Sequence, residues 1–465
     1  MIRLDEEIGG KLKAWGNTPP LVEVGQDGGR TILSAEAFSI GVAETALKLL
    51  SLGIREKYLV PMFLRNSADF IVIFLALMRV KAIPIMVKME YRELELYEIF
   101  GNSQPQAVVT ESDHLRIIGK YLNRVTVIAH DAHGLTLVQS GDVERRVPEV
   151  PDEVATINYT YRGYGYPLGS MISHDQYLHG ARVLQDGLQG EAGEKMLVIL
   201  PMSHIFTLVG CILVPLLYQM TSVIVETMHP RLIFQHIHDL EIEYITAVPE
   251  IFQLFCRLHE PCSCLTSLRA FVSGGSILTP EAYENQKKAF EIDLLHGYGL
   301  TEFTPVSRNM RGKARQGTVG PLCSEVQCRI HDSGSDGVGE ILIKTPHDIG
   351  VYYHRERESD EAHTDGWFKT GDIGRMDSGH LVFVQELKNT CKINGNLVDL
   401  EEVSRAIRGD KEVAEAHVSY GENGLVAKIG IGRQVTLGEK TKELRAYLKE
   451  NLAGYKIPKQ FTVLK

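Results

Sequence analysis

The sequence predicts an α/β fold: a large layered N-terminal domain with a β-subdomain, followed by a small mobile α+β C-terminal domain. Three observations carry this. Short β-rich runs alternate with helical stretches over most of the chain, as parallel sheets covered by helices require. Near Gln316 the texture changes to short strands separated by Gly and Asp turns. Beyond Glu386 a further mixed segment of about 80 residues is long enough for a small second domain, so residues 1–385 and 386–465 are expected to form two units.

In chain order, KYLVPMF reads as a strand, NSADFIVIFLALMRV as a helix opened by a polar cap, and IPIMV as the next strand. QAVVT, HLRIIGKYL and RVTVIAH repeat the cycle, and ATINYTY leads into a Gly-rich turn. The alternation continues through TSVIVE, RLIFQHIHDL, YITAVP, IFQLFCRLH, LRAFVSGG and TPEAYENQKKAF to IDLLHGYGLTE. GTVGPL, VQCRIHD, GEILIKT and HLVFVQE read as the strands of the β-subdomain. The last segment offers a strand near CKING, the helix LEEVSRAIRG, strands AEAHVSY and GLVAKIGI, and the helix EKTKELRAYLKENL.

Composition sets the bounds. With 465 residues, 44% apolar and 23% charged, the chain is a globular protein rather than a disordered or fibrous one. Lys+Arg 49 against Asp+Glu 59 leaves a net charge of −10, so no net basic field recruits nucleic acid or anionic membrane. Seven scattered cysteines do not make a disulfide scaffold and suggest a reducing cytoplasm, and MIRLDEEIGG contains no apolar signal region. From Met196 to Val225 there is no Asp, Glu, Lys or Arg, enough on paper for a membrane span. Its Pro201, His204, Gly210 and Pro215 favour a buried strand–helix–strand unit instead.

Tyr159–Gly169, YTYRGYGYPLG, is the sharpest local motif. Its glycines let backbone N–H groups approach a phosphate, and a following helix capped by Ser173 would add favourable potential. No Gly-Lys-Ser/Thr follows, so it is not a Walker A loop, and taken alone it also fits a tight turn without a ligand. Tyr283 and Lys287 mimic a dehydrogenase pair, but their helix is polar and they fit a solvated face. Cys256, His259, Cys262 and Cys264 have the look of a zinc site, yet buried small cysteines account for them more simply.

Read in order, the motifs resemble the adenylate-forming superfamily of acyl- and aryl-CoA synthetases, peptide-synthetase adenylation domains and luciferases. Tyr159–Gly169 stands where that family has its phosphate loop, Leu200–His204 is similar to its Pro-Leu-x-His segment, and Ala247-Val-Pro249 to the strand end beside the acid pocket. Ser273–Leu278 resembles the turn that approaches adenine, and Gly297–Glu302 closely matches Tyr-Gly-x-Thr-Glu. Gly317–Leu322 and Trp367–Asp372 follow, then Lys392–Gly395 with Leu400–Val403 at the start of the mobile domain. The likeness spans about residues 30–460.

The resemblance implies an AMP-forming acid–thiol ligase. A carboxylic acid attacks the α-phosphate of ATP, releasing pyrophosphate, and the thiol of CoA or of a carrier-protein phosphopantetheine then takes the acyl group. That chemistry needs a phosphate cradle, a metal ligand, a ribose anchor and a cation at the developing charge. By resemblance, Glu302 ligates Mg²⁺, Thr301 touches the α-phosphate, Tyr298 packs on adenine and Asp372 takes the ribose hydroxyls. Thr160, Gly163, Gly165 and Gly169 would meet the phosphates, and Ser273, Gly274, Gly275 and Gly299 the nucleotide. His204, Ala247, Ile251, Ser276 and Gly297 would line the acid pocket; His204 is equally well read as a satisfied core histidine.

The chain departs from the family on the phosphate side. The loop's hydroxyl run is replaced by Tyr161, Arg162, Gly163 and Tyr164, and its lysine by Leu168. Glu386 stands where the family has an arginine, Lys388 falls at the hinge, and no counterpart of the C-terminal catalytic lysine follows Tyr455–Lys459. Arg162, the sole cation inside the loop, is the expected substitute for the missing lysine. The alternative function is a repurposed member that binds or transfers acyl groups of acyl-CoA or acyl carrier protein without adenylating.

Overall fold

The computed structural model describes residues 2–119, 125–141, 148–226, 229–258, 265–386, 389–421, 423–431 and 436–464. Two large sheets dominate. One has eight strands in the order Ser307–Arg308, Asp293–Tyr298, Ala270–Ser273, Tyr244–Ala247, Lys195–Val198, Thr221–Val225, Leu21–Val24, Arg30–Leu33. The other has seven, in the order Gly134–Gln139, Thr126–Asp131, Ala107–Glu111, Leu59–Phe63, Ile83–Met86, Val154–Thr160, Leu168–Ser173. The inner strands of both run parallel, and with helices on both faces they are mostly buried; Leu59–Phe63 and Thr221–Val225 are buried at every position.

Helices Ala68–Arg79, His174–Leu188 and the segment Ile205–Tyr218 fill the space between the sheets. Their starts follow local chemistry: Ser67, Ser173 and Thr279 each accept a hydrogen bond from the amide three residues on, satisfying a donor the helix leaves unpaired. The uncharged stretch 196–225 forms the expected strand–helix–strand unit, with a π-helical turn at Leu208–Leu213. Among the described residues no helix is long and apolar enough to cross a membrane. Pro230–Leu240, Pro249–Leu258 and Pro280–Phe290 cover the outer face of the eight-stranded sheet.

A five-stranded antiparallel sheet built from Gln327–His331, Gly339–Lys344, His363–Thr364, Trp367–Asp377 and His380–Glu386 forms the β-subdomain. The final segment has its own apolar core. It comprises a hairpin (Thr390–Ile393 with Asn396–Asp399), helices Leu400–Arg408 and Leu437–Asn451, and a three-stranded sheet of Val413–Gly421, Gly424–Ile431 and Gln460–Val463.

Two expectations need correction. GTVGPL is not a strand: it contributes isolated bridges at Pro321 and Leu322 only, because its glycines and proline break any ladder. The Gly-rich loop does not open a helix either. It turns back as strand Leu168–Ser173, antiparallel to Val154–Thr160, so the N-terminus of the helix lies at His174, beyond that strand, and adds no potential to the loop. Gly169 belongs to that strand, where a Cβ would lie 2.9 Å from the Ile157 side chain and 3.1 Å from the Tyr159 ring.

Candidate active site

In open parallel sheets, loops leaving the carboxyl ends of the strands converge on a crevice. Here both sheets feed the same one. Ser203 and His204 follow strand Lys195–Val198, Ser273–Gly275 close strand Ala270–Ser273, and Tyr298–Glu302 close Asp293–Tyr298. From the seven-stranded sheet come Lys88 after Ile83–Met86 and Thr160–Arg162 after Val154–Thr160. The β-subdomain adds Thr370–Asp372 and Glu386, and the C-terminal hairpin adds Thr390, Lys392, Gly395 and Leu397.

The carboxylates in this cavity are held. The Tyr298 hydroxyl donates to Asp372 Oδ2 at 2.6 Å, both side chains being buried. Burial raises the Asp372 pKa, opposed by the Lys392 charge and the tyrosine bond. Glu302 Oε1 accepts from Arg162 Nη1 at 3.1 Å and from the Tyr352 hydroxyl at 2.6 Å. Arg162 also donates to the Lys369 carbonyl and lies 4.7 Å over the Phe368 ring. The cation expected to face phosphates is therefore folded back into a buried ion pair with the carboxylate expected to face the metal. Leu168, in the place of the loop lysine, is fully buried in apolar core.

The remaining loop groups meet the C-terminal segment. Gly163 and Gly165 both have φ +81, a region costly for side-chain-bearing residues, which explains the two glycines without a ligand. The Gly165 amide donates to Asp399 Oδ2 at 3.0 Å, and the Tyr161 hydroxyl to Glu402 Oε1 at 2.7 Å. Fully buried Lys456 completes this junction, with Nζ 2.5 Å from Glu402 Oε2, 2.7 Å from Glu95 Oε1 and 3.1 Å from the Tyr161 hydroxyl. At the hairpin tip, the Gly395 amide donates to Ser276 Oγ at 3.1 Å.

His204 lines the cavity, and its Nδ1 accepts from the Phe206 amide at 3.3 Å. Burial, with Lys88 and Lys392 nearby, lowers its pKa to about 3, so it is a neutral cavity residue. Thr160, Gly297, Gly299 and Thr301 also reach the cavity. Ala247 and Ile251 do not: Ala247 is fully buried in the core under the outer helices, and Ile251 packs against the same core. Their motif ends a strand, but its side chains follow the helix-covered face. Lys388, with His259, Cys262 and Cys264, lies outside the described residues, so neither the hinge nor the cysteine cluster is described further.

Several cavity residues escaped the sequence reading. Lys88 Nζ donates to Asn396 Oδ1 of the hairpin at 3.0 Å, and burial lowers its pKa to about 8, with Lys456 contributing in the same direction. Its position just past a parallel strand was the available signal. Arg308 carries no local signal, and neither does Tyr352, which does not line the cavity but bonds to Glu302 behind it; tertiary contacts alone bring them in. Glu386, at the family's arginine position, pairs with Lys392 at 3.7 Å, and burial raises its pKa to about 6. Asn158 Oδ1 and Ser273 Oγ, on residues lining the cavity, are buried with no partner among the described residues, a fit for a polar ligand.

Comparison with known proteins agrees with this architecture. The chain is 26% identical over 438 residues to a 2-succinylbenzoate–CoA ligase of Listeria monocytogenes, covering 92% of this chain and 90% of the relative. It is 29% identical over 346 residues to the ligase of that name from Bacillus velezensis, covering 72% and 70%. Among solved structures, a double mutant of o-succinylbenzoate CoA synthetase from Bacillus subtilis, bound with a product analogue, shares the fold at TM-score 0.86 and 22% identity, covering 99% of this chain and 94% of that one. The amide bond synthetase McbA from Marinactinospora thermotolerans shares it at TM-score 0.84 and 19% identity, covering 100% and 96%. The model of the AMP-binding enzyme family matches residues 14–353, and the chain belongs to that family.

Proposed function

We propose that this chain is an AMP-forming ligase joining a carboxylic acid to the thiol of CoA. One observation carries the reading: Tyr298, Thr301 and Glu302, Ser273–Gly275 and Asp372 share one cavity with Lys392 and Gly395 of the C-terminal hairpin. In the first step the acid oxygen attacks the α-phosphorus of ATP and pyrophosphate leaves. In the second, the thiolate attacks the acyl carbon and AMP leaves. Thr301 is assigned to the α-phosphate, Thr160 and Gly163 to the outer phosphates, Ser273–Gly275 and Gly299 with Tyr298 to adenine, and Asp372 to the ribose hydroxyls once Tyr298 releases it. Lys392 lies in the hairpin and Lys88 bonds to its Asn396, and the two positive charges suit an anionic thiol carrier.

Mg²⁺ does not fit the donor set as it stands. The guanidinium of Arg162 already balances the carboxylate of Glu302, whose Oε1 also holds the Tyr352 hydroxyl. No step is assigned to a divalent cation, and Arg162 provides the positive charge beside Glu302. The division near residue 386, a C-terminal domain that moves between steps, and a cytoplasmic setting belong to the same reading. The second reading, acyl binding without adenylation, is favoured by the Arg162–Glu302 pair together with buried Leu168. Incubating the purified chain with ATP, CoA and a panel of acids tests them. AMP and thioester formed in equal amounts support the ligase. Failure to bind ATP, with tight binding of acyl-CoA, overturns it.

A further inference from the structure

Two cations of the cavity, Lys88 and Arg308, form no ion pair among the described residues, and Lys88 is held by Asn396 of the hairpin. Arg308 is half-buried and lines the cavity beside Leu184, Gly187, Leu188, Leu295 and Pro305. Its backbone is paired with Gly297, adjacent to Tyr298, which places it next to the reacting residues. Its Nε donates to the Val183 carbonyl, and the side chain lies on Gly187, where a Cβ would fall 2.8 Å from its Cδ and Nε and 2.9 Å from its Cζ. Only glycine at 187 leaves room for this course. Arg162, Arg315 and Arg182 each form an ion pair; Arg308 forms none among the described residues.

A guanidinium fixed through Nε, whose two terminal nitrogens have no hydrogen-bond partner among the described residues, is a receptor for a planar anion with two oxygens. We propose that Arg308 holds a second carboxylate of the acid substrate, so that this ligase takes dicarboxylic acids, activating one carboxylate and anchoring the other. A plain fatty or aryl acid would bury the guanidinium under an apolar tail without a counter-charge, which selects against it. This rests on the acid–CoA ligase reading above and names its substrate class.

The test titrates the full chain calorimetrically with α,ω-dicarboxylic acids of increasing length and with aryl dicarboxylic acids, each beside its monomethyl ester. The expected result is at least one diacid binding about 10- to 100-fold more tightly than its ester, the range of a charge-assisted bidentate contact. Arg308→Gln should abolish that difference and Arg308→Lys retain part of it, with melting curves of both variants verifying the fold. No diacid preferred over its ester, or a preference that survives Arg308→Gln, overturns the assignment. Thioester formation measured in parallel separates the two readings. Diacid binding without AMP release sinks the ligase and leaves Arg308 assigned, whereas AMP release with monoacids preferred sinks Arg308 alone.

Discussion

The turn Tyr298–Glu302 and the loop Tyr161–Gly165 both leave the ends of sheet strands and face the same cavity, yet they are held in different ways. The turn is fixed inside the large domain: Gln176 Nε2 donates to the Glu302 carbonyl at 3.2 Å, and the Leu300 amide to the Phe303 carbonyl at 2.9 Å. The loop is held from two sides: Tyr161 and Gly165 by Glu402, Lys456 and Asp399 of the C-terminal segment, Arg162 and Tyr164 by Glu302 and Glu361. Groups held by their own domain stay in place for a ligand whatever the C-terminal segment does. Groups held by that segment, Tyr161 and Gly165, have their polar atoms engaged by Glu402 and Asp399. The turn and the loop thus differ in partner as much as in residue type.

The largest effect is expected from Lys456→Met. It leaves Glu95 and Glu402 buried without a counter-charge and should cost about 3–5 kcal/mol, because a buried charge stripped of its partner keeps its desolvation penalty. Calorimetric melting, with small-angle scattering to detect release of the C-terminal segment, checks this. An unchanged scattering profile would mean that the loop is held by other contacts.

Next comes Arg162→Met, which strands Glu302 and should lose about 3 kcal/mol, most of it recovered in the double variant Arg162→Met/Glu302→Gln. A double-mutant cycle by urea unfolding measures the coupling, and additive losses would show that the pair is incidental. The single variant should also gain Mg²⁺-dependent binding of ATP, read by calorimetry with and without chelator.

Tyr298→Phe is milder. It removes the bond to Asp372 and should cost about 1–2 kcal/mol while weakening adenosine nucleotide binding only slightly, since the ring is retained.

The smallest and broadest effect is on pH. Burial lowers His174 and His296 to about 4 and His204 to about 3, against an ordinary value of 6.5. Between 6.5 and these values the unfolded chain binds protons that the folded chain refuses. The contribution is complete above that window and lost as pH falls through it. The melting temperature should therefore fall between about pH 7 and pH 5, and less steeply in His204→Asn.

Much of this molecule was legible in its residues because the signals are local. The alternation of apolar runs gave the sheets, and Ser67, Ser173 and Thr279 marked helix starts through bonds spanning three residues. Tyr-Gly-x-Thr-Glu was legible because neighbouring backbone bonds build the turn. The reading failed where a partner lies far along the chain. Arg162 was expected to face a ligand, but its partner Glu302 is 140 residues away. Ala247 and Ile251 were placed by their motif, while Ala247 ends strand Tyr244–Ala247 on its helix-covered face and Ile251, on helix Pro249–Leu258, packs against the same core.

By itself, then, the sequence determined the class of fold and the family, since each rests on residue patterns short enough to act locally. Only the tertiary structure decided which charges are free. Burial makes an unpaired ion costly, so each buried charge seeks whatever partner the fold brings near. Here that arrangement commits Arg162 to Glu302 and Lys456 to Glu95 and Glu402, and leaves Arg308 lining the cavity with no ion pair among the described residues.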